Sequence, residues 1–224
     1  MFLAGMGVSA LLIGWLLSDF DTIRLVRVVQ GAALAGLILN LIALWKQEHV
    51  RPMSKAERAE PRPTFGDAWS NLMASGKTAR LLVVVFLGTM AFNMQDVLLE
   101  PYGGEILGLS VAATTLLTAT WAVGALLGFA FAAQRLTRAA SPYRLAGTGC
   151  IAGLAAFSAV IFSAPMQSPV LFYLGASLIG FGGGLFAVAT LTAAMTLPAA
   201  GMRGMALGAW GAAQATAAGL SIAL

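Results

Sequence analysis

Long apolar runs separated by short polar breaks set the pattern of this chain. A helix needs about 20 mostly apolar residues to cross the hydrocarbon core of a bilayer. Seven runs reach or approach that length: Phe2–Leu17, Leu25–Trp45, Leu81–Leu99, Leu109–Ala133, Leu145–Ala164, Val170–Leu197 and Met205–Leu224. The breaks carry turn and loop residues, among them Ser18-Asp19-Phe20-Asp21, Pro101-Tyr102-Gly103-Gly104 and the stretches 134–144, 165–169 and 198–204. The pattern predicts an all-α membrane protein, a polytopic bundle of about seven transmembrane helices.

The basic residues sort by side. Lys46, Arg51, Lys55, Arg58, Arg62, Lys77 and Arg80 fall in the long polar stretch 46–80, Arg135, Arg138 and Arg144 in 134–144, and Arg203 in 198–204. The intervening loops near 100–108 and 165–169 carry neither lysine nor arginine. Every second loop lies on the same side of a bilayer, so the positive-inside rule places the basic set, and the N-terminus, in the cytoplasm. Composition agrees. Of 224 residues 59% are hydrophobic and 10% charged, where soluble domains carry about 25% charged residues; the mean hydropathy is +0.85. A net charge of +4 would raise nucleic acid as a partner for a soluble chain; here the cations are accounted for by the loops, and the expected partner is the lipid bilayer.

The stretch 46–80 divides two helices from five. Apolar runs at both ends and this midway basic loop lead to the expectation of a two-half transporter-like organisation. Residues 1–45 would be the last two helices of an N-terminal half, 46–80 the cytoplasmic inter-half loop, and 81–224 the first five helices of the C-terminal half. Within the loop, Thr64 to Met73 is predicted as a short helix capped by Thr64, with Asp67 three residues on. Phe65, Trp69, Leu72 and Met73 would share one face, suited to lying on the membrane surface.

Helices in lipid associate by close backbone approach, which small residues permit. Gly124 and Gly128, Gly149 and Gly153, Gly180 and Gly184, and Gly204 and Gly208 stand four apart. The last segment carries a stripe of Gly204, Gly208, Gly211, Ala215 and Gly219. Tight helix packing is the plain expectation for these residues. Gly182-Gly183-Gly184 adds another: a flat face open to a planar ligand or a moving helix.

Polar groups within a membrane are expensive and each asks for a reason. The richest cluster runs from Asn93 to Glu105. On a helix Asn93, Asp96 and Glu100 share a face; Pro101 is expected to end the helix and Gly103-Gly104 to turn the chain. With Gln95 and Tyr102 beside them, such a face would relay protons, bind a cationic group or grip a partner helix; Glu105 reads as an outer-surface residue. Arg24, Arg27 and Gln30 form a second polar face, expected to snorkel to the headgroups or to pair with Asp96, Asp19 or Asp21. His49 reads as an interfacial residue, and Cys150 as a small hydrophobe in an apolar run. No spacing suggests a metal site, no cleavable signal peptide is evident, and neither a P-loop nor a nucleophile elbow is present, so no enzymatic activity is expected.

The run Asn93-Met94-Gln95-Asp96-Val97-Leu98-Leu99-Glu100-Pro101-Tyr102-Gly103-Gly104-Glu105 resembles a signature of the PucC/LhaA family, membrane proteins of phototrophic bacteria related to the major facilitator fold. The stretch from Gly180 to Ala187, the run Thr190 to Met195, and Leu207-Gly208-Ala209-Trp210-Gly211-Ala212 are similar to further family signatures. The resemblance implies twelve helices in an intact protein, of which this chain would hold about seven. It implies a role in assembling light-harvesting complexes in the intracytoplasmic photosynthetic membrane, with antenna polypeptides as partners and bacteriochlorophyll as a potential ligand. A major facilitator-type secondary transporter of a lipophilic or tetrapyrrole solute is the alternative. The usual facilitator motif is degenerate around Gln134-Arg135-Leu136-Thr137-Arg138.

Overall fold

A computed structural model describes residues 22–44, 64–74, 76–197 and 202–223. All regular structure among them is helical. The chain divides into two compact units, residues 1–62 and 63–224. In the first, α1 spans Thr22–Leu44, with Arg24, Arg27 and Gln30 exposed at its start; beyond them it is apolar except for Asn40, whose amide donates to the Gly36 carbonyl at 2.9 Å. The run Phe2–Leu17, the acidic residues Asp19 and Asp21, and His49 lie outside the described residues.

The second unit opens with α2, Phe65–Ala74. The Thr64 hydroxyl donates to the Asp67 carboxylate at 2.6 Å and accepts from the Asp67 backbone N–H at 3.3 Å, so Thr64 caps the helix as the sequence led one to expect. Phe65 and Trp69 stack at 6.2 Å between ring centroids and stay exposed, while Leu72 is buried. Five longer stretches follow: α3 (Lys77–Asn93) running into α4 (Gln95–Pro101), then α5 (Val111–Thr137), α6 (Pro142–Ser163), α7 (Pro169–Thr196) and α8 (Arg203–Ala223). Ser110 and Ser168 cap α5 and α7, accepting from the N–H groups of Ala113 and Leu171 at 3.3 Å, and Pro142 and Pro169 occupy first-turn positions where a missing N–H costs nothing.

Among the described residues five helical stretches are long and apolar enough to cross a membrane: Val26–Ala43, Lys77–Ile106, Leu116–Thr137, Pro142–Ser163 and Pro169–Thr196. The protein is a multi-pass membrane protein. The last predicted run forms a helix, but α8 is not among the five; its glycines, alanines, Gln214 and Thr216 dilute its apolarity.

Pro101 does not end its helix as expected. The chain continues past it in a π-helical turn, Tyr102–Ile106, with the Leu107 N–H donating to the Tyr102 carbonyl at 3.4 Å. Widening the winding directly after the proline keeps the chain helical despite the lost donor. The stop falls at Gly108, in the left-handed region at φ +63°, where glycine has no Cβ penalty; the Leu109 N–H then donates to the Gly103 carbonyl at 3.0 Å.

Helix α7 is the centre of the unit. Helices α5 and α6 pack along it, α3 and α8 also reach it, and α8 lies mainly on α3. Phe172, Ile179, Leu185, Phe186 and Thr190 of α7 are all at most 2% exposed. Two buried hydroxyls are satisfied by their own helix, which limits the cost of a polar group in lipid: Thr190 donates to the Phe186 carbonyl at 2.8 Å and Ser163 to that of Val160 at 2.6 Å; the buried Thr89 hydroxyl on α3 has no partner among the described residues. The Thr190 hydroxyl also accepts from the Trp210 indole N–H at 3.2 Å, tying α8 to α7.

Candidate functional site

The three adjacent glycines of α7 point to three different neighbours. A Cβ on Gly182 would sit 2.7 Å from the Gly149 carbonyl oxygen of α6, and one on Gly149 would sit 2.7 Å from the Gly182 carbonyl oxygen. On Gly184 it would lie 2.7 Å from the Ala125 carbonyl of α5, and on Gly183 3.4 Å from the Phe92 ring of α3. Two turns of backbone therefore touch with no side chain between them, the close approach that small residues allow in lipid. The same holds where Gly124 and Gly128 of α5 meet the carbonyls of Ser177 and Phe181, and where Gly180 meets that of Trp121. The glycine face is filled by protein on three sides.

The polar run on α3 and α4 turns differently from residue to residue. Asp96 and Glu100 are exposed, Asn93 and Tyr102 half-buried, and Gln95 buried. The Gln95 amide donates to the Asp96 carboxylate, so the buried member of the cluster holds the exposed one. The Tyr102 hydroxyl donates to the Ile161 carbonyl at 3.3 Å, and its ring stacks on Phe172 at 5.7 Å. Gly103 makes room for that aromatic pair, since a Cβ there would lie 3.0 Å from the Phe172 ring. Glu105 is exposed.

Two clefts run between the α3–α4 stretch and α6. The first, about 600 Å³, is lined by Lys77, Arg80, Leu81 and Val84 of α3, by the first two turns of α6, and by Phe186, Ala189 and Thr190 of α7. The second, about 430 Å³, lies at the opposite end, between Gln95, Leu99, Tyr102 and Ile106 on one side and Phe157, Val160 and Ile161 on the other. Phe92 stands between them. Its ring packs on Gly153 and Gly183, and its centroid lies 5.8 Å from that of Phe186. Glu105 and Gln95 reach the second cleft; Asp96 and Glu100 do not line it. Phe92 and Gly88 carry no signal in the sequence, and Phe186 enters there only within the stretch Gly180 to Ala187. Gly88, set against the Phe186 ring, stands outside every four-residue glycine pair, and that spacing was the signal used.

Among the described residues no group of three His, Cys, Asp or Glu side chains is placed to hold a metal ion. A pigment such as bacteriochlorophyll would meet apolar walls in both clefts, with Gln95 and Glu105 as polar groups in the second and Tyr143 and Thr190 in the first.

The fold and these clefts define a multi-pass helical membrane protein with apolar recesses between its helices. The chain belongs to the PUCC protein family, whose model matches residues 1–224. It is 58% identical over 222 residues to an uncharacterised protein of the puhA–bchM intergenic region of Rhodobacter capsulatus, covering 99% of this chain and 46% of the relative. To protein PucC of Rhodovulum sulfidophilum it is 49% identical over 227 residues, covering 100% of this chain and 50% of that protein. It is also 30% identical to a protein of Rhodobacter capsulatus named bacteriochlorophyll synthase 44.5 kDa chain, over 98% of this chain and 52% of that one. The chain spans about half the length of these relatives. No solved structure matches it.

Proposed function

We propose that this chain acts in the assembly of bacterial light-harvesting complexes in the photosynthetic membrane, handling antenna polypeptides, bacteriochlorophyll or both. The observation that carries the reading is PUCC family membership along the whole chain, with proteins named PucC at 47–49% identity. The geometry supports it: both clefts are walled by apolar side chains, and their rims are exposed apolar residues such as Val84, Leu98, Ile106 and Ile161. Recesses of that kind favour clients that live in the bilayer over solutes that arrive from water. Asn93, Gln95, Asp96, Glu100 and Tyr102 are the proposed client-contact region; Gly182, Gly183 and Gly184, filled by α6, Phe92 and α5, stand behind it as packing contacts. Within it Gln95 and Tyr102 reach the second cleft.

The competing reading is a major facilitator-type transporter driven through Asp96 and Glu100. Both carboxylates are exposed on this bundle rather than turned into it, which favours contact over a buried proton relay.

The test is purification of the full-length protein from its phototrophic host in mild detergent, with an absorption spectrum and protein identification on the eluate. Co-purified antenna polypeptides or bacteriochlorophyll, reduced by Gln95→Leu, is the expected result. A colourless, partner-free protein that moves solute in vesicles, and loses that flux in Asp96→Asn, would overturn it.

A further inference from the structure

The cleft at the cation-bearing end of the bundle has features the assembly role does not use. Lys77 and Arg80 stand one turn apart at the start of α3, both exposed at its mouth. Neither forms an ion pair with a carboxylate among the described residues; Asp67 is engaged with Thr64, and Asp96, Glu100 and Glu105 lie at the other end of the α3–α4 stretch. Tyr143, 53% exposed, sits at the same level on α6. Tyrosine with lysine or arginine at one depth marks the headgroup region of a bilayer. Below that level the walls are Leu81, Val84, Ala146, Gly147, Cys150, and Phe186 as the floor. From Lys77 to Val84 is seven residues of helix, so the cleft reaches about 10 Å down from the charged mouth. That is about a third of the hydrocarbon thickness, the depth over which an acyl chain leaves its headgroup.

We infer that this α3–α6 cleft binds an anionic phospholipid of the adjacent leaflet, its phosphate held by Lys77 and Arg80 and an acyl chain laid along Val84, Gly147 and Cys150. Charge selects the occupant. Two cations with no carboxylate partner among the described residues repel the basic flank that a membrane-spanning helix carries at this end, and attract a negative headgroup. The apolar walls then add an acyl-chain contact that a free phosphate ion could not make. The bound lipid would fill a gap between α3 and α6 that is backed by Phe186, Ala189 and Thr190 of α7.

The experiment is native mass spectrometry of the full chain in mild detergent, titrated with phosphatidylglycerol and with phosphatidylcholine of the same chain length. Each surface cation contributes about fivefold in affinity, so a preference of about 30-fold for phosphatidylglycerol is expected. The double variant Lys77→Gln/Arg80→Gln, on two exposed positions, should bring that preference close to one. Gly147→Leu fills the cleft from α6 without changing charge, and no atom lies within 4 Å of a Cβ there; it should weaken retention of phosphatidylglycerol while the protein still folds. Arg138→Gln, outside the cleft, should change neither. Equal retention of the two lipids, or a preference that survives both the charge variant and Gly147→Leu, overturns the inference.

Discussion

Helices α7 and α8 carry the most glycines of the described helices, and they use them in opposite ways. On α7 a Cβ at Gly175, Gly180, Gly182 or Gly184 would run into a side chain or backbone atom of α5 or α6. On α8 a Cβ at Gly204, Gly208, Gly211 or Gly219 would meet nothing within 4 Å. The tight packing expected of the α8 stripe is thus absent within the described bundle. Ala206, Ala217 and Ser221 are the buried side of α8, with Trp210 reaching Thr190, and the glycine-rich side is turned out. Part of that side, with Leu82 and Phe86 of α3 and Phe65 and Trp69 of α2, walls a cleft of about 570 Å³. The lesson is that small residues at helical spacing permit close approach without causing it; the neighbour must also be there. In lipid no hydrophobic force pulls helices together, so an unoccupied stripe is tolerated.

Substitutions can break this contrast. The largest effect is expected from Gly182→Leu. Its side chain would have to displace the backbone of Gly149, not a movable side chain, and such overpacking costs at or above the top of a range of about 1–3 kcal/mol. Loss of the monodisperse peak in size-exclusion chromatography and of the thermal transition would show it; a normal melt would mean that α6 and α7 do not approach as described. Next is Gly88→Leu, set against the Phe186 ring, where a buried aromatic must move; a loss of about 1–3 kcal/mol is expected, read as a lowered Tm by circular dichroism in detergent. Smaller again is Trp210→Phe. It removes the indole N–H that Thr190 accepts, while Thr190 keeps its own-helix carbonyl. Interhelical hydrogen bonds in membranes are worth about 0.6 kcal/mol, so the Tm should fall slightly and α8 should become more accessible to proteolysis, with α5–α7 unchanged.

Much of the fold was legible because the bilayer leaves few choices. Runs of apolar residues must be helices, and Pro142, Ser168 and Pro169, in the breaks between them, are seen at the helix starts; Ser110, inside the run Leu109–Ala133, is a cap the hydropathy pattern did not mark. Thr64 and Asp67 announced α2 for the same local reason. What failed was local punctuation overridden by winding: Pro101 read as a stop, but a π-helical turn absorbed it and Gly108 took the role. At the candidate site the shared face of Asn93, Asp96 and Glu100 was a matter of helical period. Which side of that helix turns inward was not, and it is Gln95 and Leu99 that are buried. Nor does the sequence of a glycine say which neighbour fills its space; Gly182, Gly183 and Gly184 looked like one flat face and serve three different helices.

The sharpest test of the contrast between α7 and α8 is a pair of single-methyl changes, Gly182→Ala and Gly211→Ala, compared by thermal melting in one detergent. The account predicts opposite signs. Gly182→Ala should destabilise by about 1–3 kcal/mol, because its Cβ would lie 2.7 Å from a backbone carbonyl. Gly211→Ala should stabilise by up to about 1 kcal/mol, because alanine is the better helix former and open space surrounds the site. Two shifts of the same sign and size would contradict the assignment of α7 as the packed centre and of the α8 stripe as its unoccupied counterpart.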